Sequence, residues 1–194
     1  MANDGPLDAN EDAADPTSQQ PQLITNFSGY SPPFNVVGAA SRMIDSIPRN
    51  YLFGLSAVVF TNMDALSRKC QTSTTRSRKR KVRIEKASGA YHGAWQGKPA
   101  WIEIFVDRTL GKERWMLKIP VFRDFPLSSV LFHEIGHQIH ATARPEFREK
   151  EDVADAWKEK LQRRYFRSRY PWMSIVARLL RPLTRRYFKK RESV

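Results

Sequence analysis

Apolar residues along this chain recur at two different spacings, and the changes between them divide it into elements. Val36, Val37, Ala40, Met43, Ile44 and Ile47 return every three or four positions, the stripe of a helix, with Asn35 placed as its N-cap and Pro48 as its stop. Leu55 to Thr61 is a run rich in β-branched residues and predicts a strand. Residues 66–79 are polar, with Ser, Thr and Arg in excess, and read as an exposed loop. Val82 and Ile84 alternate with Arg83 and Glu85, which predicts a strand with one wet face. Gly89, Gly93 and Gly97 mark a turn region around Tyr91, His92 and Trp95. In residues 101–106, alternation sets Ile102, Ile104 and Val106 against Trp101, Glu103 and Phe105. That strand either borders a cleft or is a structural strand with one buried face. A last extended segment covers residues 115–122, and Asp124-Phe125-Pro126 opens a helix.

The opened helix holds the densest chemistry of the chain. Within Val130-Leu131-Phe132-His133-Glu134-Ile135-Gly136-His137-Gln138-Ile139 stands the pattern H-E-x-x-H. Residues four apart on a helix differ by about 40° around its axis, so both imidazoles lean the same way. Their nitrogens can then reach one ion at about 2.0–2.1 Å. Glu134, beside the first histidine, can face a metal-bound water without ligating the metal. Three of the four histidines, His133, His137 and His140, fall here, and only His92 lies elsewhere. The alternative is an amphipathic core helix with histidines on its polar edge. Gly136 costs a helix interior roughly 1 kcal/mol relative to alanine. It marks either the close approach of another backbone or ordinary tight packing.

Arg144-Pro145 breaks this helix, because the residue before proline is pushed out of helical conformation. A second helix begins near Glu149 and carries Val153, Ala154, Trp157 and Leu161 at helical spacing. Glu151 and Asp155 share one face of it, reading E-x-x-x-D. Glu146, Glu149, Asp152 and His140 are also within reach along the sequence. A zinc-bound histidine usually donates its other ring N–H to a carboxylate. Glu151 with Asp155 supplies a ligand and such an orienting group from one face, and His140 reads as a cleft-wall or capping histidine.

On these residues the chain resembles the gluzincins, the H-E-x-x-H peptidases whose third ligand is a glutamate on a later helix. The resemblance runs over residues 121–161 together with the strand before them, about a third of the chain. It implies His133, His137 and Glu151 as zinc ligands and Glu134 as general base. It also implies that Asp155 supports a zinc histidine through a hydrogen bond. The implied fold is α+β, a minimal zincin-like domain with an N-terminal helix and a small mixed sheet of about four strands, followed by the H-E-x-x-H helix and the ligand helix. In zincins the strand bordering the cleft binds a peptide or protein substrate by main-chain pairing. The oxyanion needs a donor besides the metal, for which Tyr165, Tyr170 and His92 are the candidates.

Composition sets the frame around this site. The chain has 194 residues, room for one domain and its tails. A single cysteine, Cys70, excludes an internal disulfide framework and fits a reducing compartment. No secretory signal and no apolar stretch of about 20 residues is present, so the expected location is the cytoplasm. Charge is segregated: residues 1–41 carry five acids and no Lys or Arg, against a net charge of +13 for the whole. Residues 1–30 are expected to be a disordered acidic tail, 31–168 the catalytic domain, and 169–194 a basic amphipathic segment. That last stretch spaces Trp172, Ile175, Val176, Leu179, Leu180 and Leu183 as a helix would, amid seven Arg and Lys residues from Arg178 to Arg191. It fits either an anionic membrane surface or packing on the domain. Residues 76–81, Arg-Ser-Arg-Lys-Arg-Lys, add a cluster that fits nucleic acid or a solvated loop. A non-enzymatic basic binding module with a structural or vestigial metal site is therefore the alternative function.

Overall fold

The computed structural model of the chain describes residues 20–77, 80–110, 115–143 and 151–173. Residues 1–19 and most of the C-terminal segment, 174–194, lie outside these, as do Glu146 and Glu149. In chain order the elements are β1 (Gln22–Asn26), α1 (Val36–Asp45), β2 (Leu55–Thr61), α2 (Arg68–Thr72), β3 (Thr74–Ser77), β4 (Arg80–Arg83), β5 (Gly89–His92), β6 (Ala100–Phe105), a helical turn α3 (Val106–Thr109), α4 (Pro120–Ala143) and α5 (Glu151–Arg169). The fold is α+β. Its main sheet runs β1-β2-β6-β5, with β1, β2 and β6 parallel and β5 antiparallel at the edge.

The two faces of that sheet differ. Val58, Phe60, Ile102 and Ile104 are fully buried on one face, in a core shared with Ala39, Ala40 and Met43 of α1 and Leu127, Leu131 and Ile135 of α4. Alternation along β5 and β6 sends Ala90, His92, Trp101, Glu103 and Phe105 to the other face. There Met63, Ala90 and Phe105 form a smaller cluster. The Asn35 side chain accepts from the Gly38 N–H at 2.8 Å and starts α1 as its sequence suggests.

Four expectations need correction. The domain begins before residue 31: β1 pairs in register with β2, Leu23 opposite Val58. Its partner lies more than thirty residues away, and local composition carries no trace of that pairing. The polar stretch 66–79 is not all loop, since α2 is capped by Ser67 and β3 pairs with β4. Residues 84–86 turn as a 3₁₀ helix instead of continuing a strand. Residues 115–122 are not extended either. A 3₁₀ turn at Met116–Lys118 leads into α4, which starts at Pro120, ahead of Asp124. Proline suits a first helical position because it lacks a backbone N–H where one would find no partner within the helix anyway.

Helices α4 and α5 form an antiparallel pair stitched along its length. Tyr165 and Tyr170 donate to the buried Asp124 carboxylate at 2.6 and 2.7 Å, and Gln162 donates to Ser128 at 3.1 Å. Further along, Gly136 meets Ala154 backbone to backbone. A Cβ on Gly136 would lie 2.7 Å from the Ala154 carbonyl oxygen and 2.8 Å from its Cα, closer than real Cβ contacts come. The close-approach reading of Gly136 therefore holds.

Gly136→Ala should destabilise the fold. Alanine gains roughly 1 kcal/mol in helix propensity, but overpacking against a backbone that cannot rotate away costs about 1–3 kcal/mol. Denaturant unfolding should show the net loss, and a variant as stable as the parent would mean that α5 yields freely.

Candidate metal centre

The α4–α5 pair brings His133 and His137 of α4 to Glu151 at the first turn of α5. One ligand atom from each lies within 4.8 Å of the others, and each side chain is half-buried. The Glu151 carboxylate is 3.3 Å from His133 Nε2 and 3.9 Å from His137 Nε2. Ligands about 2.0–2.1 Å from a tetrahedral ion stand about 3.3–3.4 Å apart, so small side-chain adjustments would close this group on one. The donor set thus fits a metal ion. Among the described residues this is the group of that kind, and neither His140 nor Asp152 belongs to it.

Asp155 accepts from His133 Nδ1 at 3.0 Å. A carboxylate only accepts, so Nδ1 donates in this contact, and Nε2 is the ring nitrogen that faces Glu151. Lys158 donates to the same Asp155 oxygen at 2.9 Å and helps hold its pKa below the usual carboxylate value, against the opposing effect of burial. Burial, then the neighbouring His133, pushes His137 down to about 4. Its imidazole is neutral near pH 7, the form that binds metal. Burial lifts the Glu134 carboxyl to about 8, and the Glu151 charge adds to the rise. The Tyr91 backbone N–H donates to that carboxylate and pulls the other way. A cation held beside Glu151 would offset its charge and favour ionised Glu134.

Tyr91 is the residue that sequence reasoning missed. Its segment read as a turn, whereas β5 pairs with β6 from Gly89↔Ile104 to His92↔Trp101. The Tyr91 ring lies near-parallel to His137, centroids 6.4 Å apart, and burial raises its phenol pKa. Gly89 was the available signal. A Cβ there would lie 2.6 Å from Val130 and 2.9 Å from the Glu134 carboxylate, so only glycine lets β5 cross α4 this closely. The strand expected at residues 101–106 is β6, Ala100–Phe105, with Val106 already in α3; it is internal, between β2 and β5, so it is not an edge of the sheet.

None of the three expected oxyanion donors stands at the group. Tyr165 and Tyr170 are committed to Asp124, nine residues before His133 on α4 and so about 13 Å along its axis. Burial and that carboxylate raise both phenols, Tyr170 to about 12. His92 lies on the opposite sheet face from α4, stacked on Trp101 at 3.8 Å and 3.3 Å from Glu103.

No protein-family model matches the chain, and no curated protein and no solved structure matches it significantly either.

Glu151→Ala should lower metal affinity more than Asp155→Ala, for which a loss of about 10–100-fold is expected from a group that only orients a ligand. Titration with cobalt(II), read by its visible absorption, measures both. A larger loss from Asp152→Ala or His140→Ala would assign the third ligand elsewhere.

Proposed function

We propose that this protein is a zinc-dependent metallopeptidase of gluzincin type, acting on a peptide or protein substrate. The observation that carries the reading is the convergence of His133, His137 and Glu151 from two helices, with the Glu134 carboxylate beside them next to β5, the edge strand of the sheet among the described residues. Two imidazoles and one carboxylate are a donor set of catalytic zinc sites, which keep one position open, whereas structural sites are closed by four protein ligands. No cysteine joins the group, and Cys70 is exposed on α2.

Bound zinc would polarise the scissile carbonyl and lower the pKa of its water towards about 7. The protein's own groups would do the rest. Glu134, aimed by the Tyr91 amide, takes a proton from the attacking water and passes it to the leaving amine. Asp155 fixes the His133 ring, and burial keeps His137 neutral. The outer edge of β5 is free of a partner strand among the described residues, so an extended substrate can add there by main-chain pairing. Tyr91, against His137, takes the place of Tyr165, Tyr170 and His92 as candidate donor to the developing oxyanion.

Glu134→Gln tests the reading. An amide cannot accept the proton, so cleavage of denatured casein should fall at least about 100-fold while zinc content, measured on the purified protein, stays that of the parent. Chelation should abolish the parent's cleavage and added zinc restore it. Zinc retained without any cleavage by the parent would favour a non-catalytic metal site instead.

A further inference from the structure

At the far end of the α4–α5 pair from the metal group, large apolar side chains face solvent. Ile119, Phe122 and Phe125 are 44, 46 and 59% exposed and succeed one another at three-residue spacing where α4 begins. Trp172, just past α5, is 51% exposed. A chain of ring contacts joins the two sets: Phe125 to Phe166 at 6.0 Å, Phe166 to Tyr170 at 5.7 Å, and Tyr170 to Trp172 at 6.4 Å. The middle of that chain is pinned, because the Tyr170 hydroxyl is bonded to the buried Asp124. These rings are therefore held outward by a rigid support. Phe125 is eight residues before His133, about 12 Å along the helix, so the face is separate from the metal group.

Its charge is one-sided. Lys118, Arg123, Arg163, Arg164, Arg167 and Arg169 lie in the segments that bear these rings, 115–126 and 163–173, with Arg123 turned to Asp124 at 3.3 Å and Arg163 3.8 Å from the exposed Glu159. The one acid in those segments is Asp124, and it is buried. Chain continues from this face at residue 174, and residues 174–194 contain seven Arg and Lys against one Glu.

We infer that this face is a docking surface for an anionic lipid membrane, on which the protein lies peripherally. Exposed aromatic and aliphatic groups on segments rich in cations are what the interface of an anionic bilayer accepts: rings at the headgroup level, cations on the lipid phosphates. Other occupants fit less well. A second copy would set one cationic face against another, and the C-terminal residues would bring seven more cations onto the six already there. Nucleic acid would neutralise the charge and stack on the rings, but it offers no apolar phase for Ile119 and Met173. No helix among the described residues is long and apolar enough to cross a membrane.

Sedimentation of the full chain with vesicles tests this. The parent should bind vesicles of phosphatidylglycerol and phosphatidylcholine at low salt, bind pure phosphatidylcholine weakly, and be released as salt rises. The double variant Phe122→Ser with Phe125→Ser should melt near the parent temperature, since both rings face solvent, and bind at least about tenfold more weakly. Lipids brominated on their acyl chains give a second reading on an unperturbed fold. They should quench the parent's tryptophan fluorescence, and less so that of Trp172→Phe. The proposal is overturned if the parent ignores the anionic vesicles at low salt, if the double variant binds them as tightly, or if Trp172→Phe leaves the quenching unchanged. Tight binding of duplex DNA by the parent and not by the double variant would reassign the face to nucleic acid.

Discussion

The backbone contact between Gly136 and Ala154 is the constraint on which the rest of the site depends. Two helices ordinarily pack with their axes about 8–10 Å apart, the spacing set by the side chains between them. With no side chain at Gly136, α5 lies against α4 through bare backbone. Only then do the first turns of α5 come low enough for Glu151 to reach both histidines and for Asp155 to meet His133 on its far ring nitrogen. The helix-propensity cost of glycine is the smaller term, and the geometry of the group is what it secures.

A second glycine plays the same part on the other side. Gly89 lets the edge strand cross α4 over Val130 and Glu134, and the Tyr91 amide thereby reaches the Glu134 carboxylate. The candidate base is thus enclosed between a helix and a strand edge. That enclosure raises the pKa of its carboxyl, and the Glu151 charge adds to the rise, so its ionisation is tied to whatever neutralises Glu151. The metal group and the sheet edge act as one unit because both rest on positions where backbone meets backbone or carboxylate without an intervening Cβ.

The opposite end of the helix pair is organised by charge burial. Asp124 is fully buried and accepts from Tyr165 and Tyr170 while Arg123 stands 3.3 Å from its second oxygen. An isolated carboxylate there would be strongly unfavourable, and these three donors satisfy it. The arrangement locks the end of α5 to the start of α4 and sets the outward pose of the rings beside it. One helix pair therefore carries the candidate metal group and, about 12 Å away along its axis, the exposed basic aromatic face.

Much of this was legible in the sequence. Helix α1 with its Asn35 cap, strand β2 and the H-E-x-x-H helix follow from side-chain periodicity, which local sequence carries. So does the placement of Glu151 and Asp155 on one helix face, since four residues make about one turn. What local sequence could not carry was pairing over distance. β1 and β5 are short, and β5 holds a glycine and a histidine. Each is a strand only because a neighbour supplies its hydrogen bonds. The same reason hid Tyr91, which matters through where its amide points, and misassigned Tyr165, Tyr170 and His92. Each has chemistry suited to an oxyanion, but helix direction sends two of them to Asp124 and strand alternation sends the third to the wrong face of the sheet. The sequence determined which groups this protein can use. The tertiary structure decided which of them meet, because a side chain's direction is fixed by the packing of its element and not by its neighbours in the chain.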